Sequence, residues 1–108
     1  MRGDVHITLS ALERRFLERL DEASLTHPIA NKSADGRRVD CRWPEHHLTV
    51  ELDSYRYHNS RHAWEQDRRR EREAHARGDD FRRYTPYDVF DAPEQMLAEL
   101  GDLLGCPG

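Results

Sequence analysis

The chain has 108 residues, of which 36% are hydrophobic and 35% are charged, with a formal net charge of −4. A chain of this length usually forms one domain, so we expect a single domain over residues 1–108, with its core between about 8 and 104, and no second catalytic domain. The net charge argues against a uniformly basic nucleic-acid-binding protein. The sequence contains no bilayer-spanning stretch and no apolar signal segment, and it has only two cysteines. We therefore expect a cytoplasmic protein that forms no disulfide bonds and does not associate with a membrane.

Charge is distributed unevenly along the chain. Residues 54–85 carry nine arginines and six acidic residues, whereas residues 86–108 carry five acidic residues and no basic one. Arginine binds phosphates in a bidentate manner. The arginine-rich stretch is therefore either a phosphate-binding surface or a solvated helix face with ion pairs.

The first predicted element is an amphipathic helix over about 11–23. Ser10 is expected to cap it, with Glu13 reaching back to close a capping box. Its buried stripe is predicted from spacings of three and four residues, and comprises Leu12, Phe16, Leu17 and Leu20.

Three strands are predicted next, at 28–31, at 37–43 and at 48–53. The turn at 44–47 favours a hairpin between the second and third of them. Alternation in the third strand places Leu48, Val50 and Leu52 on one face and Thr49, Glu51 and Asp53 on the other.

The second half of the chain predicts a polar helix over 61–77, a strand over 81–85 and a helix that begins at Pro93. Trp64 and Ala74 are the apolar anchors of the polar helix, and Gly78 is its stop signal. Because a helix separates the last two strands, we expect the final strand to be parallel to a neighbour. The fold class is therefore α/β, with a mixed sheet flanked by helices in the order helix, short strand, hairpin, helix, strand, helix.

Acidic residues on the hairpin are the first candidates for chemistry. Asp40 is expected to lie opposite the Val50–Glu51 region, which brings its carboxylate close to that of Glu51. Two adjacent carboxylates repel each other unless a positive charge lies between them, and a hard divalent cation meets that need. The alternative is that these acids are exposed on an open sheet face.

Several segments together resemble a known nuclease family. They are Ser10–Leu17, Asn31, Arg38–Asp40, Trp43–Glu45, Leu48–His58, Trp64–Arg70 and Phe81–Thr85. In these segments the chain is similar to the small restriction-endonuclease-like proteins grouped as domain of unknown function 559, which are relatives of the very short patch repair endonucleases in the PD-(D/E)XK superfamily. The resemblance extends from about residue 8 to 104 and implies a restriction-endonuclease-like fold.

The resemblance implies a magnesium- or manganese-dependent endonuclease that hydrolyses DNA. Asp40 and Glu51 would bind the metal, with the carbonyl of Leu52 as a further ligand. Glu13 would be an auxiliary acid, a role that competes with its capping box, and His58 would assist proton transfer.

Arginines on the polar helix and the last strand match positions at which the family has arginine. Arg70 and Arg83 would hold the scissile phosphate or pair with the site acids. Phosphate contacts that position the nucleic acid are expected from Arg56, Arg61, Arg68 and Arg69.

Three positions depart from the family pattern. Asp53 stands where the superfamily has its lysine, although similar family members also tend to have Asp there. Ser54 replaces a glycine, which would strain the backbone if that position needs positive φ, and Cys41 replaces a phenylalanine. Asp53 would complete the acidic shell of the site.

Alternatives to a magnesium nuclease remain open. The histidines at 46, 47, 58 and 62, together with Cys41, contain zinc-ligand types but lack zinc-motif spacing. The competing function is a catalytically inactive nuclease-fold module that binds nucleic acid or a protein partner in a defence or toxin–antitoxin system. A homodimer, a separate partner protein and an RNA substrate are also left open.

Overall fold

The computed structural model describes residues 7–33, 38–54 and 61–105; of residues 61–67, it describes the backbone and the side chain of Glu65. The helices are α1 (Leu9–Glu22), α2 (Arg61–Ala76) and α3 (Pro93–Leu103), and the strands are β1 (Ile29–Lys32), β2 (Arg38–Trp43), β3 (Leu48–Asp53) and β4 (Asp80–Tyr84). Short helical turns occupy Pro44–His46 and Tyr87–Asp91. Within these ranges, no helix is both long and apolar enough to cross a membrane.

The strands described here form one mixed sheet in the order β1-β2-β3-β4. β1, β2 and β3 are antiparallel to one another in turn, and β4 is parallel to β3. The expected hairpin and the expected parallel final strand are both confirmed. The α/β class with a mixed sheet flanked by helices is therefore established.

β3 has an apolar face and a polar face, and all six of its residues are buried. Leu48, Val50 and Leu52 belong to the hydrophobic core, whereas the buried polar residues of this strand are Thr49, Glu51 and Asp53. The predicted alternation is thus confirmed, but the idea of an open acidic sheet face is wrong for Glu51 and Asp53.

The core lies on the apolar face of the sheet, where α1 and α3 pack. α1 contributes Leu12, Phe16 and Leu20, and α3 contributes Met96 and Leu100. Burial of such side chains stabilises the fold by roughly 1.5–3 kcal/mol for each one. This face accounts for most of the apolar burial and leaves the opposite face for polar groups.

The start of α1 differs from the sequence prediction. The helix begins at Leu9 and its N-cap is Thr8, whose Oγ1 accepts a hydrogen bond from the Ala11 amide at 3.1 Å. Ser10 therefore lies inside the helix, and the capping box between Ser10 and Glu13 does not form. Two hydroxyl residues that are two positions apart, Thr8 and Ser10, offered competing caps, and sequence pattern alone did not separate them.

The end of α2 agrees with the glycine stop signal. Gly78 has φ +86°, its amide donates to the carbonyl of His75, and the Asp79 amide donates to the carbonyl of Ala74. This pair of hydrogen bonds is a Schellman motif. The motif favours glycine because the residue at the position of Gly78 adopts a left-handed conformation, which is unfavourable for residues with a Cβ. The motif directs the chain from α2 into β4.

The π-helical turn at Tyr87–Asp91 was not anticipated from the sequence. Its carbonyls at Val89 and Phe90 accept hydrogen bonds from the Arg19 guanidinium at 3.0 and 3.3 Å. A contact between residues 70 positions apart has no local sequence signal. Arg19 thereby ties α1 to the segment before α3.

Tyr84 links β4 to α3 by donating a hydrogen bond from its hydroxyl to Glu99. Burial, together with this bond to the Glu99 carboxylate, raises the pKa of the phenol well above its ordinary value. We expect Tyr84→Phe to lower the free energy of unfolding at pH 7 by about 1 kcal/mol. Above pH about 10 the unfolded phenol ionises while the folded one stays protonated, so this advantage of the wild type shrinks as the pH rises.

Urea unfolding of both proteins at pH 7 and at alkaline pH measures this effect. A difference between wild type and Tyr84→Phe that is unchanged, or that grows, above pH about 10 would contradict the role given to the hydroxyl.

Candidate active site

A row of polar residues crosses the sheet on its polar face. Asn31 pairs with Asp40, Asp40 pairs with Glu51, and Glu51 pairs with Arg83 in the strand register. Side chains directly opposite each other on neighbouring strands point to the same face, with Cβ atoms about 4.5–5.5 Å apart in antiparallel pairs. The expected juxtaposition of Asp40 and Glu51 is therefore confirmed by their direct register.

α2 places Arg70 over the two carboxylates. Its Nη1 lies 3.4 Å from Oδ2 of Asp40, and its Nε lies 3.3 Å from Oε1 of Glu51. The Glu51 side chain is 0% exposed, whereas Asp40 is 37% exposed. One guanidinium thus occupies the position between a buried carboxylate and a solvent-accessible one.

Asp53 is nearly fully buried on the same face. Its Oδ2 lies 3.8 Å from Nη1 of Arg83, and Arg38 occupies the register position opposite it. Successive residues on one face of a strand are about 6.6 Å apart, so Asp53 lies beside the Asp40–Glu51 pair rather than within it. Of the two roles considered for Arg70 and Arg83, the structure shows the pairing with site acids.

The Asp40–Glu51 pair fits a hard divalent cation. Both side chains offer carboxylate oxygens, and Mg²⁺ is commonly held by one or two carboxylates with water and substrate phosphate completing its ligands. The contacts of Arg70 show that a positive charge is accommodated between the two groups. Among the described residues, no group of three or more histidine, cysteine or acidic side chains is arranged to hold a metal. Among the described side chains, the ligands identified at this position are therefore the carboxylates of Asp40 and Glu51.

Glu13 and Leu52 are less directly connected to the pair. Glu13 lies on α1, which packs on the apolar face, and among the described contacts none joins it to Asp40 or Glu51; its negative charge acts on Cys41. The side chain of Leu52 is fully buried in the core, which leaves only its carbonyl for a ligand role.

Ser54 does not have the strained backbone that a glycine position would impose. In the described part of the chain, the non-glycine residues with positive φ are Ser24 and His47. The replacement of glycine by Ser54 therefore costs no left-handed strain, and it does not disturb Asp53 by that route.

Several expected contact residues fall outside the described residues. His58 and Arg56 lie in the segment 55–60, and the side chain of Arg61 is also outside the description, so their roles stay predictions. Arg68 and Arg69 are exposed on α2.

Cys41 lies beside the pair but on the apolar face. Burial, followed by the charges of Glu13 and Asp40, raises the pKa of this thiol to about 12. A thiol that stays protonated near neutral pH is a poor nucleophile and a poor metal ligand. Cys41 therefore acts as a core residue, which weakens the zinc alternative.

A second polar cluster on the same face was missed by the sequence reasoning. Asp79, 3% exposed, accepts a hydrogen bond from Oγ1 of Thr49 at 2.8 Å and one from Nη2 of Arg42 at 3.3 Å. Its Oδ2 is also 3.8 Å from Nε of Arg77. The available signals were the placement of Thr49 on the polar face and the position of Asp79 directly after the glycine stop. They were not connected because Thr49 and Arg42 lie 30 and 37 residues from Asp79 in the sequence.

Comparison of the chain with protein-family models, with curated proteins and with solved structures finds no match. The resemblance to the restriction-endonuclease-like family therefore rests on the sequence motifs alone.

Replacement of Arg70 tests its electrostatic role. Arg70→Gln removes the positive charge that contacts both Asp40 and the buried Glu51, and we expect it to lower the free energy of unfolding by about 1–3 kcal/mol at pH 7. The exposed neighbour Arg69→Gln is the matched control and is expected to change stability by less than about 0.5 kcal/mol. Urea unfolding monitored by circular dichroism measures both values. Equal effects of the two substitutions would show that Arg70 does not compensate Glu51.

Proposed function

We propose that the chain is a metal-dependent endonuclease that hydrolyses phosphodiester bonds in DNA, with Mg²⁺ or Mn²⁺ as its cofactor. The observation that carries the proposal is the direct register of Asp40 and Glu51, with the Arg70 guanidinium in contact with both. The family resemblance of the motifs around these residues supports the choice of reaction and substrate.

Asp40 and Glu51 would hold the metal. Glu51, buried in the central part of the sheet, supplies a fixed oxygen ligand, and the partly exposed Asp40 leaves the pair accessible from solvent. When bound, the divalent cation supplies Lewis acidity and offsets charge on the phosphoryl oxygens. Such a cation would compete with Arg70 for the same carboxylate oxygens, and a guanidinium released from them would be available to bind a phosphate that approaches the pair.

Nearby arginines supply the positive charge that the superfamily lysine provides in proteins that carry it. Asp53 occupies that position, but it is buried and lies 3.8 Å from Arg83. Arg83 is in register with Glu51, and Arg70 touches Glu51 from α2. Positive charge next to the second metal-binding acid therefore comes from two neighbouring elements instead of from β3 itself. His58 and Glu13 stay proposed participants in proton transfer and in the acidic shell.

Cleavage of supercoiled plasmid DNA tests the proposal. We expect the purified protein to nick or linearise the plasmid when Mg²⁺ or Mn²⁺ is added, and to be inactive with EDTA. Asp40→Asn and Glu51→Gln are expected to lower the rate at least about 100-fold, because each removes a charged metal ligand. Asp102→Asn, an exposed acidic residue on α3, is the control and is expected to retain full activity.

Two results would contradict the nuclease proposal. One is cleavage by Asp40→Asn at the wild-type rate, which would indicate a contaminating nuclease. The other is the absence of cleavage in every divalent metal tested with a folded wild-type protein.

The competition between Arg70 and the metal predicts a gain in metal affinity. Arg70→Gln removes a positive charge from the cation position, so we expect it to bind Mn²⁺ roughly tenfold more tightly than wild type. Its cleavage rate is nevertheless expected to fall, because the phosphate loses a guanidinium. Isothermal titration calorimetry measures the affinity separately from activity. Weaker Mn²⁺ binding by a folded Arg70→Gln protein would contradict the proposal that Arg70 and the metal occupy the same position between the two carboxylates.

A second candidate function is a non-catalytic module that retains the nuclease fold and binds nucleic acid. It is favoured by the contact of Arg70 with both carboxylates, which compensates them without a metal. DNA binding with a steep salt dependence in EDTA, combined with no Mn²⁺ binding and no cleavage, would support this module over the enzyme.

A further inference from the structure

The cluster around Asp79 is the strongest candidate for a second binding site. We call Arg42, Thr49, Arg77 and Asp79 the distal cluster. The Asp79 carboxylate is 3% exposed and is in contact with Arg42 and Arg77, and Arg77 Nη2 also donates to Oγ1 of Thr49 at 3.2 Å. His47 lies at its edge, with Nδ1 4.0 Å from Asp79. The cluster is therefore a fixed group on the polar face.

The distal cluster contains more positive than negative charge. One buried carboxylate faces two guanidiniums, whose side chains are 38% exposed in Arg42 and 43% exposed in Arg77. Each guanidinium carries five N–H donors, of which Asp79 and Thr49 engage only a part. The surplus positive charge lies on two side chains that are each more than one third exposed, although Nε of Arg42 is itself buried, and the buried acid holds both side chains in place.

The ion pair between Arg82 and Glu99, on the opposite face of the sheet, has no such surplus of positive charge. Arg82 is 37% exposed, close to the value for Arg42, but its Nε pairs with Oε2 of Glu99 at 2.9 Å. There one guanidinium meets one carboxylate that is itself 41% exposed. Arg82 therefore has one carboxylate as its counter-charge, whereas Arg42 and Arg77 share the single carboxylate of Asp79.

The position of the distal cluster relative to Asp40 and Glu51 suits a continuous phosphate backbone. Thr49 precedes Glu51 by two residues on the same face of β3, a distance of about 6.6 Å. Arg77 lies directly after the last residue of α2 and follows Arg70 by seven residues, which corresponds to about two helical turns. A strand of B-DNA carries one phosphate for about every 3.4 Å of helix axis, so neighbouring phosphates fall within reach of both positions.

The surface between the two positions is accessible on the β1–β2 side. All four residues of β1 are exposed, and Asp40 and Arg42 on β2 are each more than one third exposed. A nucleic-acid strand can therefore lie along β2 beside α2 without displacing the core.

We propose that Arg42 and Arg77 bind a backbone phosphate of DNA next to the phosphate that approaches Asp40 and Glu51, and that Asp79 and Thr49 orient the two guanidiniums. This inference rests on the DNA substrate of the proposed function and not on its catalytic activity. The contact positions the strand without reading its sequence.

The test is fluorescence anisotropy of a labelled DNA duplex in EDTA, so that no cleavage occurs, over a series of salt concentrations. Arg42→Gln and Arg77→Gln are each expected to weaken binding about fivefold to tenfold and to reduce the slope of log Kd against log salt by about one. Arg82→Gln is the control and is expected to bind like wild type. Arg42→Lys is expected to restore the slope, because it retains the charge.

Thermal unfolding of every variant separates lost binding from lost folding. A double variant of Arg42 and Arg77 that is folded and binds DNA like wild type would overturn the proposal, as would equal weakening by Arg82→Gln or no DNA binding by wild type. If the wild type binds DNA and the two variants weaken it, but no protein cleaves in any metal, the phosphate site stands and only the enzyme proposal fails.

Discussion

The contact of Arg70 with Asp40 and Glu51 is the interaction on which the arrangement of the polar face of the sheet depends. Glu51 lies in an interior strand with no solvent exposure, and an uncompensated carboxylate there would be several kcal/mol less favourable than in water. Arg70 provides the compensating charge from α2 and thereby holds that helix against the sheet. Any cation that binds the same carboxylates must take over this role.

The two faces of β3 explain why the polar groups gather where they do. Leu48, Val50 and Leu52 pack on the face that α1 and α3 cover, so Thr49, Glu51 and Asp53 point to the opposite face of the sheet. Each of these three meets arginine or a carboxylate on a neighbouring element. Along this face, the buried acids are therefore compensated by guanidinium groups of partly exposed arginines.

Local patterns of the sequence were sufficient for most of the fold. Alternation identified β3 and Gly78 marked the end of α2, because each depends on neighbouring residues alone. The order of elements, with a helix between the last two strands, predicted a parallel β4. The cap of α1 was assigned wrongly since Thr8 and Ser10 both have the required hydroxyl. The π-helical turn and its contact with Arg19 depend on long-range packing that no short window contains.

The candidate site was predictable in part for the same reason. A hairpin register places Asp40 opposite Glu51, and that relation can be derived from the turn at 44–47. Which cation lies between them cannot be derived, because Arg70 reaches the pair from a helix about 20–30 residues away in the chain. The contacts of Asp79 with Thr49 and Arg42 were hidden by similar separations.

We propose that Arg70 and a divalent cation compete for one position between two carboxylates. Anomalous diffraction from crystals of the protein grown with Mn²⁺ tests this competition. We expect a manganese peak within bonding distance of both Asp40 and Glu51, with the Arg70 guanidinium moved out of contact with at least one of them. Crystals in which Arg70 keeps both contacts and no manganese binds at the pair would contradict it.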